Sequence, residues 1–236
     1  MTLLDAPSQP ETQPHSQDAP ESAAQPLSLQ LRSSTRSQHE HAETRSFVTA
    51  LMGGGLGERG REAYIDLARQ HHAIYRALEA AGERLAADPV VADFLIADLL
   101  REASLVADLE LLAGADWRDL PVHETTAAYV ARLDGIEDAE SYVAHAYTRY
   151  LGDLSGGQAI AVMLQRHYGL APEELTFYRF DGIPKPKVFK DTYRELLDAA
   201  DLSPERQARA VAEAQVAFDL NAALFVTLGE RHGLGD

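Results

Sequence analysis

A helical stretch interrupted by glycines is the first feature that asks for a chemical explanation. The segment Ala144-His145-Ala146-Tyr147-Thr148-Arg149-Tyr150-Leu151-Gly152-Asp153-Leu154-Ser155-Gly156-Gly157-Gln158 keeps helical spacing on both flanks, with Tyr142, Ala146 and Arg149 before it and Ile160, Met163 and Leu164 after it. Each interior glycine costs a helix about 0.8–1.0 kcal/mol relative to alanine, so Gly152, Gly156 and Gly157 together cost about 3 kcal/mol. That is a large share of a typical folding free energy. Gly152 and Gly156 are one turn apart on a common face, with Asp153 beside them. A face without Cβ atoms admits a close neighbour. The neighbour is either a crossing helix or a flat ligand; the third reading is a simple break between two helices. Asp153 favours the ligand, because a carboxylate beside bare backbone suits water near a bound molecule better than dry packing.

Histidines near the start of the helical region are the second feature. His39 and His41 invite a metal-site reading with Glu43. Residues i and i+2 of a helix point about 200° apart, so the two imidazoles cannot share one metal there. A paired-carboxylate metal centre needs Glu-x-x-His on two helices. The residues three before His71 and His72 are Ala68 and Arg69, so that pattern is missing.

The elements that must position these groups are helical almost throughout. Helices are expected at about 28–44, 46–52, 58–85, 90–112, 124–134, 138–168, 186–200 and 204–232. The glycine run at 53–55 stops the second, Gly114 closes the fourth, and the fourth is either one helix or two with a bend. Tyr64, Leu67, His71, Ile74, Tyr75 and Leu78 fall on one amphipathic face. Ser203-Pro204 is a cap followed by proline at the first helical position. Only Phe177-Tyr178-Arg179-Phe180 looks strand-like, and Trp117 is expected in a connecting loop. Residues 1–27 stand apart: five of the chain's eleven prolines, many Gln and Ser, and no Lys or Arg. Such a stretch buries too little apolar area to order itself, so a disordered acidic tail is expected there. Residues 28–236 read as one all-α domain.

Composition limits the chemistry further. The chain has 236 residues and a formal net charge of −16. This is a poor footprint for nucleic acid and for an anionic membrane surface. Cysteine is absent, which excludes thiolate metal sites, iron–sulfur clusters and thiol nucleophiles. No apolar run reaches the ~18 residues needed to cross a bilayer, and no signal peptide is evident. A cytoplasmic protein is expected.

Residues 147–158, Tyr-Thr-Arg-Tyr-Leu-Gly-Asp-Leu-Ser-Gly-Gly-Gln, resemble the distal-helix signature of the haem oxygenases. Thr35, His39, Ala42 and Glu43 resemble the family's first helix, Thr-x-x-x-His-x-x-Ala-Glu. The similarity extends from about Leu27 to His232. It implies an all-α fold with haem b sandwiched between the first helix and a kinked, glycine-rich distal helix. His39 is then the proximal ligand to iron, with Glu43 close enough to orient its second nitrogen. Lys190 and Arg194 resemble a Lys-x-x-x-Arg pair that meets the haem propionates. Arg32 stands where the family often has Lys, and Tyr147 adds a hydroxyl to the same edge. Tyr75 is expected in the distal pocket with Arg149 and Asp153, Phe218 as haem-packing bulk, and Asn221 as a distal polar residue.

The chemistry implied is oxidative cleavage of haem by dioxygen to biliverdin, ferrous iron and carbon monoxide, by default at the α-meso carbon. Asp153 would order waters that bring protons to the distal side, while Gly152 and Gly156 let the backbone lie close to the porphyrin. External electrons are needed, because no flavin or nicotinamide fingerprint is present. A ferredoxin or flavin reductase is the implied donor, with a biliverdin acceptor as a further partner and a monomer as the working state. The membrane anchor of the animal enzymes has no counterpart before Gly235-Asp236, which fits a soluble bacterial form. A haem carrier or sensor, and an interaction module acting through the tail, are the competing readings.

Overall fold

The computed structural model describes residues 25–235. Most of the expected tail therefore lies outside the described residues. The described residues form ten α-helices joined by short 3₁₀ turns, with no strand among them. The helices are α1 (Leu27–Ser34), α2 (Arg36–Glu43), α3 (Ser46–Gly53), α4 (Gly60–Arg84), α5 (Pro89–Phe94), α6 (Glu102–Ala113), α7 (Glu124–Asp134), α8 (Ala139–Tyr168), α9 (Pro186–Ala199) and α10 (Pro204–Arg231).

Local chemistry explains most boundaries. Asp88 caps α5 by accepting from Val90 N at 2.8 Å, with Pro89 at the first helical position. Asp138 caps α8 through Ser141 N at 2.8 Å, and Ser203 caps α10. Gly54 (φ 75°) and Gly169 (φ 66°) end α3 and α8 in the left-handed conformation that glycine adopts without penalty.

Two expectations need correction, and one that was open between two forms is decided. The helix expected over 28–44 is divided at Thr35, whose hydroxyl donates to Leu31 O at 2.7 Å. Such back-bonding competes with the regular ladder and bends helices. Its first residue is Leu27, and Ser28 N donates to Asp198 Oδ1 of α9 at 2.8 Å. The 90–112 region is two helices separated by the 3₁₀ turn Ala97–Leu99. The strand-like segment is a 3₁₀ turn, Thr176–Tyr178.

Two long helices form the centre. α10 packs against α8, α7, α2, α3 and α1, and α4 packs against α7, α6 and α8. An 18-residue window of α10 has mean hydropathy 1.3, so one helix is long and apolar enough to cross a membrane by length and composition. This amends the expectation that none is. The same helix carries Glu213 at 6% exposure, bonded to His145 Nε2 at 2.8 Å on α8 and paired with Arg132 of α7. Those contacts are what a core helix needs.

Candidate active site

α8 passes through its glycines without interruption, so the reading of a break between two helices falls. The remaining readings divide between the glycines. A Cβ added at Gly157 would stand 2.8 Å from Tyr178 Cδ1, so this glycine admits a packed neighbour. Added at Gly152 or Gly156, it would meet nothing within 4 Å. These two are exposed and form one wall of a cavity of about 400 Å³. No helix crosses them, so helix packing does not explain their missing side chains.

The opposite wall comes from α2, α3 and α10. His39, Leu51, Phe218 and Phe225 face the same cavity. The His39 side chain is 50% exposed, with Nδ1 3.4 Å from Glu43 Oε2 one turn on. Its ring meets Phe218 edge-on at a centroid distance of 5.7 Å. A carboxylate beside Nδ1 leaves Nε2 as the nitrogen available to a metal.

Polar groups without partners cluster at the glycine side. Asp153 Oδ2, His71 Nε2, and Nε and Nη2 of Arg149 are buried with no hydrogen-bond partner, and their residues all line the cavity. Burial pushes the Asp153 carboxyl well above the usual carboxylate range, because the charged form loses hydration without gaining a donor. Burial, and then the Arg149 charge, push His71 well below the ordinary imidazole value. Arg149 is held by Nη1 donating to Asn221 Oδ1 at 2.7 Å, with its guanidinium 4.8 Å from the Tyr75 ring centroid. Leaving buried donors and acceptors unmade is costly. Around an apolar-walled cavity they fit a ligand that brings water or polar atoms with it.

A second cavity of about 510 Å³ adjoins the first and shares His39, Thr148, Gly152 and Phe218 with it. Arg32, Arg36, Tyr147 and Arg194 line it. The Tyr147 hydroxyl is raised by burial and lowered by Arg194 and Arg32, so all three groups lie within electrostatic reach. Arg194 Nη1 donates to Asp191 Oδ1 at 2.6 Å, and Lys190 Nζ to Ser155 Oγ at 3.1 Å, Ser155 being part of that wall. An apolar slot continuous with a cationic one suits a flat, apolar molecule bearing carboxylates at one edge. The residues therefore fit a haem: an exposed imidazole, a wall without Cβ atoms, and cations at one rim.

One expected residue is elsewhere. Tyr75 is fully buried and does not line the cavity; it packs among His71, Tyr150 and Phe177, and its hydroxyl has no partner. The place expected for it belongs to His71, one turn earlier on α4. Tyr178 was also missed as a wall residue. It is presented by the turn Thr176–Tyr178, which Asp108 of α6 holds by accepting from Thr176 N at 2.9 Å and Phe177 N at 2.8 Å. His71 had a signal in the amphipathic face of α4. Tyr178 had none, because its position depends on a partner 70 residues away in the chain.

Comparisons with known proteins point to one family. The family model described as heme oxygenase matches residues 25–227. A heme oxygenase from Porphyra purpurea is 37% identical over 206 residues, covering 86% of each chain. Heme oxygenase 1 from Gallus gallus is 37% identical over 92% of this chain and 73% of its own. The crystal structure of heme oxygenase-1 from the cyanobacterium Synechocystis, in complex with heme, superposes with a TM-score of 0.82 at 31% identity, covering 88% of this chain and 94% of that one.

Proposed function

Because the chain belongs to the heme oxygenase family, we propose that it cleaves haem b with dioxygen and external electrons to biliverdin, ferrous iron and carbon monoxide, at the α-meso carbon that is the family's usual position. The observation that supports this most is the pairing of His39 with a bare helical face, Gly152 and Gly156, across one cavity. Haem, bound as substrate, supplies the iron at which dioxygen is reduced.

The chain's own residues do the rest. His39 holds the substrate from the proximal side, and Glu43 orients it through Nδ1. Arg32, Arg194 and Tyr147 take the propionate edge, with Lys190 beside them at Ser155. Phe218 packs against the His39 side of the substrate. On the distal side Gly152 and Gly156 would allow the ring to approach the α8 backbone closely. The raised carboxyl of Asp153 keeps its proton at pH values where an ordinary aspartate has lost it. It hands protons to cavity water rather than directly to substrate. Arg149 and Asn221 fix the polar wall against which that water is ordered. Tyr75 acts at one remove, by supporting the Arg149 guanidinium.

Electrons come from a separate donor, a ferredoxin or a flavin reductase. All three lysines of the chain, Lys185, Lys187 and Lys190, stand at the start of α9. Lys190, bonded to Ser155, joins Arg32, Arg36 and Arg194 to give a chain of net charge −16 a local cationic rim at the second cavity. Such a rim suits an acidic donor. A cytoplasmic monomer that passes its product to a biliverdin acceptor completes the reading.

The test is a hemin titration followed by reduction under air with an iron chelator present. A Soret band that decays to a broad biliverdin absorption, with iron released, supports the reading. Asp153→Asn should bind hemin with unchanged affinity and slow the decay by about 10²–10⁴-fold, the usual worth of a general acid. A stable haem spectrum under good reductant would replace the oxygenase reading with a carrier or sensor.

A further inference from the structure

His71 faces the haem cavity, but His72, about 100° further round α4, lines a separate cleft of about 830 Å³ bounded by α4, α6 and α7. The cleft is floored by alanine and valine side chains and rimmed by Arg69, Arg76 and Arg118. Arg69, His72 and Arg76 stand at i, i+3 and i+7, one stripe of α4. Trp117 is buried beneath them: its ring lies 4.6 Å from the His72 ring, 4.4 Å from the Arg118 guanidinium and 5.7 Å from that of Arg69. Buried His72 Nδ1 and Trp117 Nε1 have no hydrogen-bond partner.

Two of the three arginines of this cleft make no ion pair among the described residues. Several arginines elsewhere are matched to carboxylates: Arg61 to Glu174, Arg132 to Glu213, and Arg206 and Arg209 to Glu140. In the cleft, Arg76 has no hydrogen bond or ion pair among the described residues, and Arg69 donates only Nε, to Leu120 O at 3.1 Å. Arg118 lies 3.8 Å from Glu110. The carboxylates on the rim are Glu102, whose Oε1 is 3.8 Å from His72 Nε2, and Asp134. Burial and the neighbouring charge of Arg76 both push Arg69 below its ordinary value, so these two cations repel each other across one helical stripe. Glu102 and Asp134 stand on the same rim, yet neither pairs with Arg69 or Arg76. Packing over Trp117 accounts for the stems of Arg69 and Arg118. It does not account for Arg76.

We propose that this cleft is a second binding site, independent of the haem cavity, for a small organic oxyanion: a carboxylate or phosphate carried on an apolar body. The guanidinia supply paired donors of the geometry that carboxylates and phosphates accept. The alanine and valine floor takes the body of the ligand.

Trp117 is the chain's only tryptophan, so its fluorescence reports on this cleft alone. The full-length, haem-free protein is titrated with phenyl phosphate, with benzoate, and with sodium chloride at matched ionic strength. A saturable change in Trp117 emission with either organic anion, and none with chloride, is the expected result; which anion binds more tightly tells phosphate from carboxylate. In Arg76→Gln and Arg118→Gln the affinity should fall about tenfold or more for each lost charge-assisted contact. Hemin affinity in both variants should stay that of the parent chain. No saturable change, or binding that survives both substitutions, overturns the proposal. So does binding abolished by loading with hemin, since the anion would then sit in the haem cavity.

Discussion

Replacing Gly152 or Gly156 by alanine should make the haem-free protein more stable and its haem complex weaker. Each glycine lies inside α8 with open space where a Cβ would stand. The methyl group therefore meets no protein atom, and the helix gains the full propensity difference of about 0.8–1.0 kcal/mol. For a domain of this size, 1 kcal/mol moves the melting temperature by about 2–4 °C. The double variant should thus melt about 3–8 °C above the parent, taking the two sites as additive. In the cavity the same methyl groups occupy the surface on which the porphyrin lies. Overpacking a fitted contact costs about 1–3 kcal/mol, which is a loss of about 5- to 150-fold in hemin affinity. Gly157→Ala is the internal control. Its Cβ would stand 2.8 Å from Tyr178 Cδ1, so it should lower the melting temperature. Calorimetry of the haem-free proteins and Soret titration with hemin measure both quantities. A lower melting temperature in Gly156→Ala, or hemin affinity unchanged in both cavity-facing variants, would refute the assignment of these glycines to a ligand.

Three further outcomes are expected. His39→Ala should leave thermal stability within about 0.5 kcal/mol of the parent, because the side chain is half exposed, yet it should abolish the His-ligated Soret spectrum, and added imidazole should restore that spectrum. Asp108→Ala removes the acceptor for two backbone N–H groups and the Thr176 hydroxyl; it should cost about 2–4 kcal/mol by denaturant unfolding and release Tyr178 from the wall, read as a slower distal reaction. Glu213 is held down to about 2 by His145 and Arg132 against the opposing effect of burial. A depressed carboxylate contributes stability that is present above its unfolded value and is lost as pH falls through the folded one. The melting temperature should therefore fall between about pH 4.5 and pH 2, and Glu213→Gln should flatten that part of the profile.

Much of the site could be read along the chain, and the reason is local. Helix boundaries follow from caps and glycines, as at Asp88, Asp138, Ser203 and Gly169. The linear motif around Gly152 and Asp153, and the spacing of His39 and Glu43, lie within single helices, where one turn sets which side chains are neighbours. Phe218 and Asn221 sit on one face of α10 for the same reason and do reach the cavity.

What spans the fold could not be read that way. Helical periodicity tells which face is covered but not what covers it. His71 and Tyr75 share a face of α4, and only the packing of Tyr150 and Phe177 decided that Tyr75 is enclosed while His71 meets the cavity. Three glycines looked alike in the helix, but Tyr178, brought in by a turn that Asp108 pins from α6, separated Gly157 from the other two. Arg149 gained its partner Asn221 from a helix 72 residues further on. Helices, their caps and the groups able to do chemistry are legible along the chain, because they depend on neighbours within a turn or two. The tertiary structure decided which of those groups face a common space, because that depends on side chains from distant helices competing for the same volume.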